Sequence, residues 1–197
     1  MAQKRISFIS FEEFEKLYKA EKNKKMKLCI LLGFGSGLRI SEIIGFKRKF
    51  KQKKNKETKE IEFTKDETSI LPLTKEMVFL KEHQIRLDDG KGRKWRTTIL
   101  PPAFTEPMLK LLPITIPRRT VQYNFEKLCQ RILNKKMSFH TLRHGFGNHL
   151  VNDLNLPLPM VQGYLGHSRL DTTGIYTKAN PEHAINTAWN KMTGGKE

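Results

Sequence analysis

Three histidines, an arginine and a tyrosine stand in short motifs within 37 residues near the carboxyl end: His140-Thr-Leu-Arg143-His144, then Leu165-Gly-His167-Ser168, then Tyr176. In a chain of formal charge +17 these residue types point to chemistry on a phosphodiester. Breaking such a bond through a covalent intermediate needs a nucleophile, cations around the charge that develops on the phosphoryl oxygens, and a proton donor for the leaving 5′ oxygen. Tyr176 is the candidate nucleophile. A phenol of pKa about 10 attacks poorly at neutral pH unless nearby cations favour its ionisation. Arginine suits the second task, because its planar fork matches two phosphate oxygens and stays charged. Arg39 and Arg143, each at or near the start of a predicted helix, are the candidates, and together they would clamp one phosphate. His140 lies three residues before Arg143 and so on the same side of a helix. Either His140 or His167 could donate a hydrogen bond to a non-bridging oxygen or move a proton. Lys91, in a Gly-Lys-Gly turn, could reach the leaving oxygen, with Lys94 as its competitor. Tyr18 and Tyr123 read as helix packing, and Tyr164 as packing beneath the His167 turn.

The elements that must position these groups are mostly helical. Ser10 with Glu13 forms a capping box for a first helix carrying Phe11, Phe14 and Leu17 as its apolar stripe. A second helix spans about 25–34, and a third begins at Leu38 and ends near Gly45. Gln84-Ile-Arg-Leu and Arg96-Thr-Thr-Ile-Leu flank Asp88-Asp-Gly-Lys-Gly, which predicts a hairpin with Lys91 at its tip. A short helix near 104–111 follows. After Pro117 comes a helix with Val121, Phe125, Leu128 and Ile132 on one face. The spacing then predicts helices over 141–153 and 159–165, a turn at 172–176, and a last amphipathic helix over about 182–192 with Ala184, Ile185, Ala188, Trp189 and Met192 along one side. The fold class is mainly α with a small antiparallel β-hairpin.

Composition narrows the partner. With 37 Lys and Arg against 20 Asp and Glu, the chain suits a polyanion, since each phosphate it neutralises releases condensed counterions. Residues 47–60 hold eight cations against two glutamates and read as a solvated loop. Lys47, Arg48, Lys49, Lys51, Lys53 and Lys54 of that run are candidate DNA-backbone contacts, as are Arg93 and Lys94. Cys29 and Cys129 have neither disulfide nor metal spacing and read as buried apolar side chains. No segment resembles a membrane span or a secretory signal, so the expected place of action is the cytoplasm, beside the nucleoid.

The ordered boxes resemble the tyrosine recombinases, the phage-type integrases. Gly37-Leu-Arg39-Ile-Ser-Glu42 resembles that family's first arginine box, Gly90-Lys91-Gly-Arg93-Lys94 its hairpin lysine, and His140-Thr-Leu-Arg143-His144 its His-x-x-Arg box. Leu165-Gly-His167-Ser168 and Thr172-Thr-Gly-Ile-Tyr176 resemble its final box, including the nine-residue step from histidine to tyrosine. The resemblance implies a tyrosine recombinase catalytic-domain fold with Arg39, Lys91, His140, Arg143, His167 and Tyr176 as the active set. Glu42 would brace the arginine box and His144 would support the active groups from behind. It implies double-stranded DNA as partner, a 3′-phosphotyrosyl intermediate that needs no cofactor, ATP or metal, and a homotetramer on recombining DNA that is a monomer in free solution. The last helix would dock on a neighbour or on its own core. A mobile-element, viral or plasmid origin fits.

Three departures accompany it. The family's usual N-terminal core-binding domain is expected to be absent, leaving residues 1–197 as a single catalytic domain. The 52-position step from Arg39 to Lys91 makes about 47–73 an inserted basic segment. Lys178 stands where a histidine is common. Rival readings are relaxation of DNA in the manner of a type IB topoisomerase, and a noncatalytic DNA-binding protein. A metal-dependent nuclease would need convergent carboxylates or histidines, and Asp88-Asp89 with His83, His149 and His183 lack that spacing.

Overall fold

A computed structural model of the chain describes residues 7–54, 61–87 and 96–166, together with 185, 188–190 and 192–194; for 48–54 and 61–68 it describes the backbone alone. Helix α1 (Phe11–Ala20) starts where expected. The Ser10 hydroxyl accepts the Glu13 amide at 3.3 Å, and the Glu13 carboxylate accepts the Ser10 amide at 3.1 Å. Its buried stripe is Phe14 and Leu17, whereas Phe11 stays 42% exposed with its ring stacked on His149 at 4.8 Å. Helix α2 (Lys24–Gly35) is capped by Asn23, whose side chain accepts the Met26 amide at 3.0 Å. Every residue from Leu28 to Leu38 is buried, which makes α2 the central helix, apolar all round rather than on one stripe. Cys29 and Cys129 lie in the same core, and burial pushes both thiols up to about 12.

Helix α3 (Ile40–Ile44) follows directly, shorter than the sequence suggests because Arg39 is extended at its N-cap and Leu38 lies before it. As far as Lys54 the basic run is not a loop, and its residues 55–60 lie outside the described ones. It forms β1 (Phe46–Lys54), paired antiparallel with β2 (Ile61–Ile70) from Phe46 opposite Ile70 to Lys54 opposite Ile61, with an irregularity between Arg48 and Phe50. Charge alone hides the reason. The second strand offers Ile61, Phe63, Thr64, Thr68 and Ile70, all strand formers, and sets Glu62 opposite Lys53 in the register.

The expected hairpin is present as β4 (Gln84–Leu87) against β5 (Arg96–Ile99), with Leu87 opposite Arg96, and a two-residue strand β3 (Val78–Phe79) adds to its edge. A 3₁₀ turn spans Glu106–Leu111. Helix α4 (Arg118–Leu133) buries Val121, Phe125 and Leu128, with Ile132 partly covered. Helix α5 (His140–Asn148) packs on α2 and passes at Asn148 into a π-turn, His149–Asp153, where the Leu154 amide reaches back to the His149 carbonyl at 3.0 Å. Helix α6 (Leu158–Leu165) ends at Gly166, whose φ of 61° is the left-handed conformation that glycine adopts without strain. At the carboxyl end Ile185, Ala188–Asn190 and Met192–Thr193 are helical. Ile185 and Ala188 are buried against Ile99, Phe146, Leu150 and Tyr164, and the Trp189 ring stacks on His83 at 3.7 Å, so this segment packs on its own core. No helix among the described residues is long and apolar enough to cross a membrane.

One close approach registers the amino-terminal segment on α5. The Ile9 amide donates to the Thr141 carbonyl at 3.3 Å, and a β-carbon at Gly145 would strike the Ile9 carbonyl oxygen. Gly145→Ala should therefore destabilise the fold by about 1–3 kcal/mol despite the better helix propensity of alanine. Urea denaturation checks this, and an unchanged midpoint would show that Ile9 yields freely.

Candidate active site

The site is built on one carboxylate. Arg39 sits at the N-cap of α3, and three residues on, Glu42 folds back over it. The Arg39 amide donates to Glu42 Oε2 at 2.6 Å and Arg39 Nη1 to Glu42 Oε1 at 2.9 Å. From β5, Arg96 Nη2 reaches Oε2 at 2.6 Å, and from α5, Arg143 Nη1 lies 4.0 Å from the same oxygen. Glu42 is only 3% exposed. Burial alone would raise its pKa, but Arg96, the Arg39 amide and the Arg39 guanidinium outweigh it and hold the carboxyl below its ordinary value. Among the described residues, three guanidiniums surround this one carboxylate. Such a cluster favours an incoming anion.

The three arginines are not equivalent. The Arg39 side chain is 38% exposed and faces a pocket of 210 Å³, whose polar lining is Arg39, Ser41, Arg118, Gln122, Ser138 and His140. Arg143 is buried. Its Nη1 donates to the Gly37 carbonyl at 2.6 Å and its Nη2 to the Leu165 carbonyl. Burial, with Arg39 and Arg96 adding to it and Glu42 opposing, pulls its pKa down to about 9, which leaves it a cation at neutral pH. Instead of presenting an open fork, Arg143 binds the turn before α3 to the end of α6.

His140 is exposed at the first position of α5, and its ring meets His144 edge-on at 4.6 Å. Partial burial and then the charge of Arg143 hold His144 below its ordinary pKa of 6.5, so it is neutral at pH 7. A second cavity of 400 Å³ lies where Arg143, His144, Asn148 and Leu165 meet Phe8.

The structure thus brings Arg39, Glu42, His140, Arg143 and His144 together. Lys91, Arg93, Lys94, His167 and Tyr176 lie outside the described residues. Lys47 is exposed at the start of β1, and Arg48, Lys49, Lys51, Lys53 and Lys54 occupy positions along that strand. Tyr123 does not pack as expected: it is 55% exposed, with Lys127 Nζ 4.6 Å from its ring centre, while Tyr18 and Tyr164 do pack inward. Sequence reasoning missed Arg96, Arg118 and Gln122. Arg96 carried a signal, since the alternation Arg96-x-Thr98-x-Leu100 sets it on the inward face of its strand, where a charge needs a buried partner. Arg118 and Gln122 carried none beyond being polar positions at a helix start. Among the described residues no His, Cys, Asp or Glu group is arranged to hold a metal ion.

Residues 7–183 match the Phage integrase family. A similar protein is the Tyrosine recombinase XerC-like of Caldanaerobacter subterraneus subsp. tengcongensis, 27% identical over 92% of this chain and 52% of that one. Among solved structures, the integrase from mycobacterium phage Brujita has a TM-score of 0.61 at 21% identity, covering 95% of this chain and 58% of that chain. The XerA recombinase has 0.59 at 20%, covering 96% and 66%. These two likenesses show a shared fold. The chain spans about half the length of the relatives it matches.

The depressed Glu42 pKa has a consequence for acid stability. Because the carboxyl ionises more readily folded than unfolded, its contribution is complete above its ordinary value of 4.5 and is lost as pH falls through the lower folded value. Glu42→Gln should lose about 3–5 kcal/mol at pH 7, as expected when one partner of a buried ion pair is removed, and its stability should fall less steeply below pH 4.5 than that of the parent. Denaturant titrations at several pH values test both; parallel pH profiles would exclude Glu42 as the titrating group.

Proposed function

Since the chain belongs to the phage integrase family, we propose that it breaks and rejoins DNA strands in site-specific recombination. The observation that carries this reading is the half-exposed Arg39 of the Glu42 cluster, which lines one basic pocket with Arg118 and His140. In this reading the scissile phosphate docks on Arg39, with Arg143 near enough to add its charge from within. The Tyr176 phenol gives its proton to solvent, an ionisation that the nearby cations favour, and the phenolate attacks phosphorus. A bond forms from the phenolic oxygen to phosphorus, and the bond from phosphorus to the 5′ oxygen breaks. Lys91 protonates the departing oxygen, and His140 and His167 donate to the non-bridging oxygens. The product is a 3′-phosphotyrosyl bond and a free 5′ hydroxyl. Attack by the 5′ hydroxyl of a second duplex reverses these steps and frees Tyr176, with the phosphodiester energy conserved throughout.

Double-stranded DNA is then the partner, with four copies on recombining duplexes and a mobile element in the nucleoid as the setting. Residues 1–197 act as one catalytic domain. The β1–β2 hairpin, with its row of cations, lies against the DNA backbone as a projection from the segment just after Arg39 and Glu42.

Two experiments decide this. Incubation with nicked duplexes of randomised sequence, followed by recovery of DNA covalently attached to protein, should yield an adduct mapping to Tyr176; Tyr176→Phe should bind DNA and give none. An adduct that persists in that variant removes Tyr176 from its role. Replacing Lys47, Lys49, Lys51, Lys53 and Lys54 together by Gln should flatten the log-affinity against log-salt slope by about 0.9 for each phosphate that the variant no longer neutralises. An unchanged slope would take the hairpin off the DNA.

A further inference from the structure

The last two carbonyls of α6 are each held by a buried guanidinium: Tyr164 by Arg96 Nη1 and Leu165 by Arg143 Nη2. Helix ends leave such carbonyls without partners and carry partial negative charge, so cations belong there. These two also carry the charge of the cluster on Glu42. Arg96 is the more informative of the pair, because among the described residues it also meets Glu42 and Gly166. Its Nη2 is bonded to Glu42 Oε2, the oxygen that also accepts the Arg39 amide. Its stem fills the space beside Gly166, where a β-carbon would come within 2.5 Å of Arg96 Cδ. It also opens β5, paired with Leu87 of β4, and so bounds the stretch 88–95 that contains Lys91.

Building on the proposed function, we infer that Arg96 is a positioning residue: it fixes the point at which the chain leaves α6 toward His167 and Tyr176 relative to the phosphate-facing Arg39, through Glu42, without touching DNA itself. One buried side chain thus sets the spacing between the cations that receive the phosphate and the segment that delivers the nucleophile. Lysine cannot replace it, because a single ammonium on a flexible stem cannot hold the Glu42 carboxylate and the Tyr164 carbonyl in the fixed geometry of a fork. Gly166 is its counterpart, kept without a side chain by the Arg96 stem and by its own backbone conformation.

The test uses the duplex recovered with the parent protein. Arg96→Met and Arg96→Lys should slow adduct formation at saturating duplex by about 100-fold, the cost of an ångström-scale misplacement, while the dissociation constant changes by less than about threefold. Gly166→Ala, which leaves Arg96 in place and disturbs the same contact from the other side, should show the same split. Replacing the bridging 5′ oxygen by sulfur, whose thiolate leaves without a proton donor, should not restore the rate. Restoration would mean that Arg96 acts through the Lys91 turn, and would overturn the inference. So would a parent-like rate in Arg96→Met, or losses of rate, affinity and Tm in proportion. Hydrogen exchange without DNA gives an independent arm: the Gly166 amide, bonded to the Gly163 carbonyl at 3.0 Å, should lose protection in Arg96→Met. If the parent forms no adduct, the recombinase reading fails, and the exchange arm alone decides whether Arg96 holds α6: unchanged protection overturns that hold.

Discussion

A carboxylate taken out of water must be matched by cations nearly as well as water solvated it, and Glu42 meets that requirement with three guanidiniums from three separate stretches of chain. The rest of the site follows from this demand. Arg39 is fixed because its amide and its side chain both bind the carboxylate. Arg96 enters from the inward face of its strand, where a charge needs a buried partner. Arg143 is close enough to share the field while its own donors are satisfied by the Gly37 and Leu165 carbonyls. Because Arg39, Arg118 and His140 line it, the pocket beside Arg39 favours a negatively charged guest.

The apolar packing explains how such a cluster can persist inside a chain of this size. One group of buried side chains gathers around α2, from Phe14 and Leu17 to Phe125 and Leu142; another gathers around α6, with Ile99, Phe146 and Tyr164. Arg143 falls between Leu142 of the first group and Phe146 of the second, and Arg96 starts the strand that ends at Ile99 of the second group, with Leu100 of the first just beyond it. The ions therefore lie at a seam. They join two bodies of packed hydrocarbon where neither would bury them alone.

The parts of the fold legible in the sequence are those governed by local rules. The Ser10–Glu13 box, the Val121-Phe125-Leu128 stripe and the strands at 84–87 and 96–99 each follow from spacing and turn chemistry, and each is present. The basic run misleads because a density of lysines describes solubility, not backbone pairing, and its partner strand lies outside the run itself. Phe11 and Tyr123 mislead for the opposite reason: helical spacing points an aromatic toward the interior, yet both stand at the surface, one against His149 and one under Lys127. In the site, Arg39, Glu42, His140 and Arg143 are legible from motif order. That Arg143 is enclosed, and that Arg96 completes the set, depends on α6 ending against β5, a meeting of elements 68 residues apart that no local pattern encodes.

The stretch from Gly166 to Ile185 is anchored at both ends, by the Arg96 and Arg143 bonds at the end of α6 and by the burial of Ile185 in the core. Whatever path the intervening backbone follows, Tyr176 is ten residues from the first anchor and nine from the second. Its leash is thus at most about 35 Å from either point, by the contour length of an extended chain. A group tethered so briefly meets targets on its own chain at an effective concentration set by the tether, however dilute the protein. Reach, rather than encounter, then governs whether it serves its own pocket or an adjoining one.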